Sequence, residues 1–460
     1  MTLSSIYEIG IIRALIVLFG CLSVITCGKQ TSLMNRIVEQ NELRVAVLLS
    51  PSRFIESQDE PYKNIDQQHL YDFANYLGVS LTVIEASSYE NLHEMLDKGT
   101  VQIASGSALI DQSISDEILY SPPYHRFDHV LVARRNQTNI FNNQNLEDLS
   151  MVIPSGSITS HLISDLHISE IKTHEVYTSS PYQLLDLVSS QKADLTIIAK
   201  NDYELLKYSF PSTKIISELS DRTPLAWALK EGTDHSLYDQ VESFFSSYDF
   251  PEQEFYFHQP YLDELNYFDL RAFHSHYELR LPDYLPAFQE VAREQGIDWE
   301  LLAAMAYQES KWDQDAVSFT GVRGLMMLTS DTADFVAVSN LNDPNESIIG
   351  GARYFQKLDA KLPARITGQD RTWFIVAAYN LGFGHLEDAR ILTQIQGGNP
   401  DSWAAVEARL SLLESQEWEG YRKKGYARGS EALNYVTNVQ SYYELLKLMS
   451  FNKHFANLQY

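Results

Sequence analysis

Two textures of hydrophobic spacing divide this chain. Up to about residue 265, short apolar runs at 43–49, 79–84, 130–133, 150–153, 194–198 and 225–229 alternate with stretches of helical spacing such as 69–77. Short apolar, β-branched runs read as buried strands, and strands alternating with helices predict an α/β domain, placed over residues 40–265. From about Tyr267 the spacing turns to the helical period with few strand-like runs. Helices are expected over 349–361, 371–379, 400–413 and 431–449, so the second unit, residues 268–460, is predicted to be mainly α.

The helix of most chemical consequence lies at the start of that second unit. A helical stretch through Gln295 ends at Gly296, a residue suited to the left-handed turn that closes a helix, and Asp298 is placed to cap the next one. In that next helix, 301–309, Leu302, Met305, Ala306 and Glu309 fall at i, i+3, i+4 and i+7, which is one stripe. Glu309 therefore takes a place where leucine is ordinary. Burial disfavours the charged form of a carboxyl, so such a group keeps its proton near neutral pH and can hand it to a leaving group. Asp313 and Asp315 follow closely but stand in polar company with Lys311 and Gln314, and read as solvated loop acids. Gly321 and Gly324 let the backbone turn sharply before Thr329 or Ser330 caps another helix.

Composition narrows the function classes. With 35 basic against 61 acidic residues the formal charge is −26, which repels nucleic acid and leaves no basic groove to hold it. No nucleic-acid partner is expected. The 13 histidines form no His-x-x-x-His pair beside an acid, and no glycine-rich phosphate loop precedes a helix, so neither metal nor cofactor is expected. Both cysteines, Cys21 and Cys27, fall in an apolar run behind Arg13 that is too short to span a membrane and suits an export leader over residues 1–27. Gly20-Cys21 resembles a bacterial lipoprotein cleavage box, with Thr26-Cys27 as competitor and an uncleaved anchor or plain signal peptide as the third reading. Acyl chains on either cysteine would tether the protein without a spanning helix.

Four segments carry a family resemblance. Glu309-Ser310, then Gly321-Val322-Arg323-Gly324-Leu325-Met326-Met327-Leu328, then Ala378-Tyr379-Asn380-Leu381-Gly382, then Glu431-Ala432-Leu433-Asn434-Tyr435-Val436 resemble, in order and spacing, the lysozyme-like lytic transglycosylases. The match spans roughly residues 270–450, and Met326-Met327 with segment 426–429 looks like the membrane-bound lytic murein transglycosylase F type. The resemblance implies a lysozyme-like helical domain with Glu309 as the single catalytic acid. It implies Ser310, Met327, Tyr379, Asn380 and Tyr435 as substrate-site residues, Tyr435 holding the acid. Its substrate would be peptidoglycan glycan strands, cut between N-acetylmuramic acid and N-acetylglucosamine to leave 1,6-anhydromuramoyl ends. Most of the family carry Gln where this chain has Met327, a change that makes the pocket more apolar and should raise the acid's pKa further. Trp312 either stacks on a sugar or fills the core.

Residues 40–265 resemble the two-lobed periplasmic fold that captures amino acids, with the chain crossing between lobes near Arg134 and returning near residue 222. This chain departs from that family at both charges that grip a free amino acid. Segment 110–117 offers no arginine for a ligand carboxylate, and Lys200 stands where an acid for the amine is expected. The cleft is therefore expected to take a different small ligand, muropeptide-like or amino-acid-like, or to serve only structure and regulation. His125, Arg126 and Lys200 are the residues that suit a cleft of altered charge. The expected location is the periplasmic face of the outer membrane, reached through the N-terminal anchor. Two rival readings stand beside this one: a receptor or scaffold that binds glycan without cutting, and a muramidase-type hydrolase of the same fold.

Overall fold

A computed structural model describes residues 31–48, 50–55, 63–106, 118–137, 146–157, 162–163, 170–178, 180–250, 261–262 and 265–458. The leader with Cys21 and Cys27, and the whole of segment 110–117, lie outside the described residues.

The α/β part is built of two lobes, each around a five-stranded sheet. The first lobe carries β1 (Glu42–Val47), the small pair β2 (Phe54–Ile55) and β3 (Lys63–Asn64), β4 (Ser80–Glu85), β5 (Ile103–Ser105) and β6 (Ile118–Tyr120). The second carries β7 (His125–Arg134), β8 (Ser150–Pro154), β9 (Lys172–Val176), β10 (Leu195–Ala199) and β11 (Thr213–Leu225), after which β12 (Ala228–Lys230) rejoins the first. The orders are β4-β1-β5-β12-β6 and β11-β7-β10-β8-β9. Val45 of β1 pairs in parallel with Val83 and with Ile103, while β12 runs antiparallel to β5 and β6. Val45, Ala46 and Val47 are all buried, because a central parallel strand is covered on both faces, and that is why the run reads as continuously apolar.

The chain crosses between lobes at 121–124 and returns at 226–227, so the crossing expected near Arg134 lies some way too late. At this seam Ser121 N donates to Trp227 O and Trp227 N to Ser121 Oγ, both at 2.9 Å. The misplacement has a physical origin. β7 is one long strand paired with β11, but its first half carries exposed or half-exposed His125, Arg126 and Asp128, and only the buried Val130–Ala133 half shows an apolar run.

From Tyr267–Leu279 onward the described residues form helices, among them Leu281–Gln295, Trp299–Ser310, Pro344–Asp359, Gly368–Leu381 and Gly429–Leu458. The stretch expected as one helix at 400–413 is a short helix, Trp403–Glu407, followed by a 3-10 turn, Leu410–Glu414. In Trp299–Ser310, every residue from Leu301 to Tyr307 is buried. The single stripe read from the sequence is thus a fully enclosed cylinder, since a helix apolar all round goes to the middle of its domain. The helical part is docked onto the second lobe, where Asn452 Nδ2 donates to Ser209 Oγ at 3.0 Å and Arg135 lies 5.1 Å from the Tyr267 ring centroid. Among the described residues no helix is long and apolar enough to cross a membrane.

Candidate active site

Gly296 closes the preceding helix at φ 65°, and the Trp299–Ser310 helix starts at once. Asp298 stands at the N-cap position but does not cap: its carboxylate accepts from Tyr443 Oη at 2.5 Å instead, which tethers the helix start to the C-terminal helix. The helix ends abruptly, with Lys311 at φ 55° and Trp312 at φ 54°. Trp312 settles into the core, 1% exposed, its Nε1 donating to Ala303 O at 2.8 Å, so the sugar-stacking alternative for it falls away.

On the last turn of this buried cylinder sits Glu309, half-buried, at the wall of the domain. Its Oε1 accepts a hydrogen bond of 2.8 Å from Tyr435 Oη on the Gly429–Leu458 helix. Burial pushes the carboxyl pKa up from 4.5 to about 7, and the Tyr435 hydrogen bond, which favours the ionised form, offsets part of the rise. The phenols of Tyr435 and Tyr379 are both held well above the usual range, first by burial and then by the nearby Glu309 charge, so both remain donors at any working pH.

The glycine loop forms the adjoining wall. Gly324 has φ 94°, and a Cβ there would meet Leu341 O at 2.2 Å, so the strand of chain fits only without a side chain. Met326 is then fixed at both ends of its peptide: its N donates to Ser347 Oγ at 3.0 Å and its carbonyl accepts from Tyr379 Oη at 3.1 Å. Met327 follows, half-buried, in the left-handed region at φ 45°. Ser310 is buried and its hydroxyl donates to Ala306 O at 3.1 Å, while Asn380 is exposed at the end of the Gly368–Leu381 helix. Asp313 turns to Arg280 at 3.7 Å and accepts from Asp315 N at 3.0 Å; Asp315 is exposed. Both behave as loop acids. Tyr354, whose ring centroid lies 5.2 Å from that of Tyr379, escaped the sequence reading because a lone tyrosine on an amphipathic helix carries no signal. Among the described residues no group of three or more His, Cys, Asp or Glu could hold a metal.

Residues 286–400 match the Transglycosylase SLT domain model. Over 94% of its length, and 95% of the relative's, the chain is 35% identical to "Membrane-bound lytic murein transglycosylase F" of Alteromonas mediterranea. It is 37% identical to the protein of that name in Saccharophagus degradans, over 81% of this chain and 76% of the relative. The chain belongs to the membrane-bound lytic murein transglycosylase F family. The matched SLT segment contains Glu309, Met327, Tyr379 and Asn380, whereas Tyr435 comes from the long helix beyond it. Among solved structures, a mutant of arginine-bound ArgBP from T. maritima aligns with 46% of this chain and 98% of its own at 16% identity and a TM-score of 0.39.

In this transglycosylase the cleft between the lobes is bridged by the protein's own groups. Asp202 of the second lobe accepts from Ser50 Oγ at 2.7 Å and Ser52 N at 2.9 Å, both in the first lobe. The Ser155 hydroxyl joins Glu90 of the first lobe and Glu175 of the second, the latter at 2.9 Å. Between them lies a cavity of about 60 Å³, lined by Tyr89, His129, Ile198 and Asp202 among others. Lys200 is paired outward with Glu218 at 2.8 Å, and Arg126 is exposed. The acid in the cleft is thus Asp202, two residues past the position where the sequence was searched for one.

Proposed function

We propose that this protein is a peptidoglycan lytic transglycosylase, a lyase in which Glu309 acts alone, first as acid and then as base. The observation that carries the reading is one half-buried carboxyl with its pKa near 7, hydrogen-bonded to a phenol, while the neighbouring Asp313 pairs with Arg280. A group titrating near the working pH is protonated often enough to give a proton and basic enough to take one back.

Protonated Glu309 gives its proton to the oxygen bridging N-acetylmuramic acid and N-acetylglucosamine as the C1–O bond breaks. Tyr435 Oη donates to the carboxylate as its charge appears. That carboxylate then takes the proton of the muramoyl C6 hydroxyl, whose oxygen attacks C1 and closes the 1,6-anhydro ring, returning Glu309 to its starting state. The nucleophile belongs to the substrate, so its effective concentration far exceeds that of water and no second carboxylate need activate one. Met327, Tyr379, Asn380 and Ser310 are proposed as the groups that shape the sugar site around the acid.

Incubating purified cell wall with the protein and weighing the released muropeptides tests this. Anhydro ends support lytic transglycosylation, reducing ends would instead mean hydrolysis, and no release would leave a glycan-binding scaffold. In the division of labour we favour, residues 268–460 cut and residues 40–265 regulate, the cleft taking a muropeptide-like ligand rather than free amino acids. Calorimetry with a panel of amino acids should give no heat of binding. The relatives carry names describing them as membrane-bound. We place this chain on the periplasmic face of the outer membrane through a lipid on Cys21 or Cys27, to be checked by fatty-acid labelling of the Cys21→Ala and Cys27→Ala variants.

A further inference from the structure

Besides the bond from Tyr443 to Asp298 at the start of the Trp299–Ser310 helix, the Gly429–Leu458 helix meets its other end at two polar contacts. One is Tyr435 on Glu309. The other lies just past the helix end, where Lys311 enters a cage of aromatic rings. Its Nζ sits 4.5 Å from the ring centroid of Tyr307 and 4.5 Å from that of Tyr442, and donates to Tyr442 Oη at 3.1 Å. Tyr435 and Tyr442 are seven residues apart on one helix, two turns along the same face. With Tyr443 on Asp298 at the far end, these two contacts, two turns apart, hold the rotation and register of the helix pair at the end that carries Glu309.

The cage is itself well held. The Tyr442 ring stacks on Phe273 at 5.4 Å, Tyr307 Oη bonds His276 Nδ1 at 3.0 Å, and Arg280 donates to Lys311 O at 2.9 Å. Lys311 is also forced into position from its own backbone, since a non-glycine residue at φ 55° has few other rotations open to it.

We propose that Lys311 is a positioning residue for the reaction: its ammonium, clamped between Tyr307 and Tyr442, sets the register that brings Tyr435 onto Glu309. This inference rests on Glu309 being the acid. The ionisable groups facing the ammonium are Asp269 and His276 from one neighbouring helix, Arg280 at the following turn, Tyr307 on its own helix and Tyr442 on the C-terminal helix. Burial lowers the Lys311 pKa to about 8, against the pull of Asp269, and holds His276 below its usual value so that the ring is neutral there. The clamp therefore weakens in the alkaline range as the ammonium loses its charge and with it the attraction to both ring faces.

The test measures kcat and KM for glycan cleavage in the full chain from about pH 5 to about pH 9, for wild type, Lys311→Met, Lys311→Arg and Glu309→Gln, with melting temperatures alongside. Lys311→Met should lower kcat about tenfold with KM within about twofold, because misplacing the phenol slows the chemistry and not the binding. In wild type, log kcat should fall with a slope of about −1 above pH 7, as Glu309 ionises, and drop by about a further tenfold around and above pH 8 as Lys311 loses its charge, before returning to the single-proton slope. Lys311→Arg keeps a charge that does not titrate, and should retain most of kcat while the fall stays at one proton. Wild-type kcat in Lys311→Met, an arginine variant as slow as the methionine one, or a one-proton limb throughout in wild type would each overturn the proposal. Should Lys311→Met not fold, the limb of wild type against Lys311→Arg still decides. Turnover in Glu309→Gln would sink the reading of the acid instead, whereas an inactive Glu309→Gln beside a fully active Lys311→Met sinks only the role of Lys311.

Discussion

A carboxyl that must be neutral to act and charged a moment later needs surroundings that favour neither form strongly. Glu309 has them: burial on one side, the Tyr435 hydroxyl on the other. Glu309→Gln is expected to cut muropeptide release by about a thousandfold or more, since no other group nearby can donate the proton. The same variant should be more stable than wild type in alkali. A carboxyl whose folded pKa is raised loses nothing below its unfolded value near 4.5, and carries its full ionisation penalty above about 7. From that shift the gain in Glu309→Gln is no more than about 3 kcal/mol at pH 8 and vanishes near pH 4, which denaturant titrations at the two pH values will show. Tyr435→Phe removes the bond that favours the carboxylate. The Glu309 pKa then rises, so the fall of kcat on the alkaline side should move to higher pH while the maximum drops about tenfold, a shift a pH–rate profile resolves. At this scale the motif residues were legible in the sequence because chemistry fixes their type and spacing. Lys311 and Tyr354 were not, since their partners Tyr442 and Tyr379 lie far along the chain.

The elements place these groups by where they stop. The Trp299–Ser310 helix must end just past Glu309, and the left-handed pair Lys311 and Trp312 ends it while Trp312 is pinned back to Ala303 O. The glycine loop is held by the absence of a side chain. Gly324→Ala would press a Cβ to 2.2 Å from Leu341 O at φ 94°, with Ser347 Oγ only 3.1 Å away. It is expected to destabilise the protein by about 3 kcal/mol and to disturb Met326, whose amide uses that same hydroxyl, so that melting temperature and activity fall together. Elements with buried apolar runs, such as β1, β8 and β10, were readable along the chain. β9, reading Lys-Thr-His-Glu-Val and largely exposed at the sheet edge, and the first half of β7 were not, because an edge or a solvent-facing strand has no apolar run to display.

For the whole molecule, the two lobes are joined across their cleft by the protein's own groups. Asp202 reaches across the cleft to Ser50 and to the Ser52 amide, satisfying a donor that would otherwise face water in an open cleft. Asp202→Ala should loosen this bridge, and hydrogen exchange at the Ser52 amide should quicken by about tenfold or more while the helical part exchanges as before. The helical part in turn rests on the second lobe through Asn452 and Ser209 and through Arg135 on Tyr267. The acidic net charge of −26 disfavours binding to nucleic acid but places no group in the site.

What the sequence by itself determined was local: the alternation of strands and helices, the later helices, and a glutamate at the end of an apolar helix with its glycine loop and its tyrosines in family order. Each of these is written in residues close together in the chain, where period and spacing act. What only the tertiary structure decided was everything made by residues brought from far apart. That includes the depth at which Glu309 titrates, the cage around Lys311, the carboxylate of Asp202 filling the cleft, and the point where the chain crosses between lobes. Burial and electrostatic environment are sums over spatial neighbours, and no spacing along the chain contains them until the chain has folded.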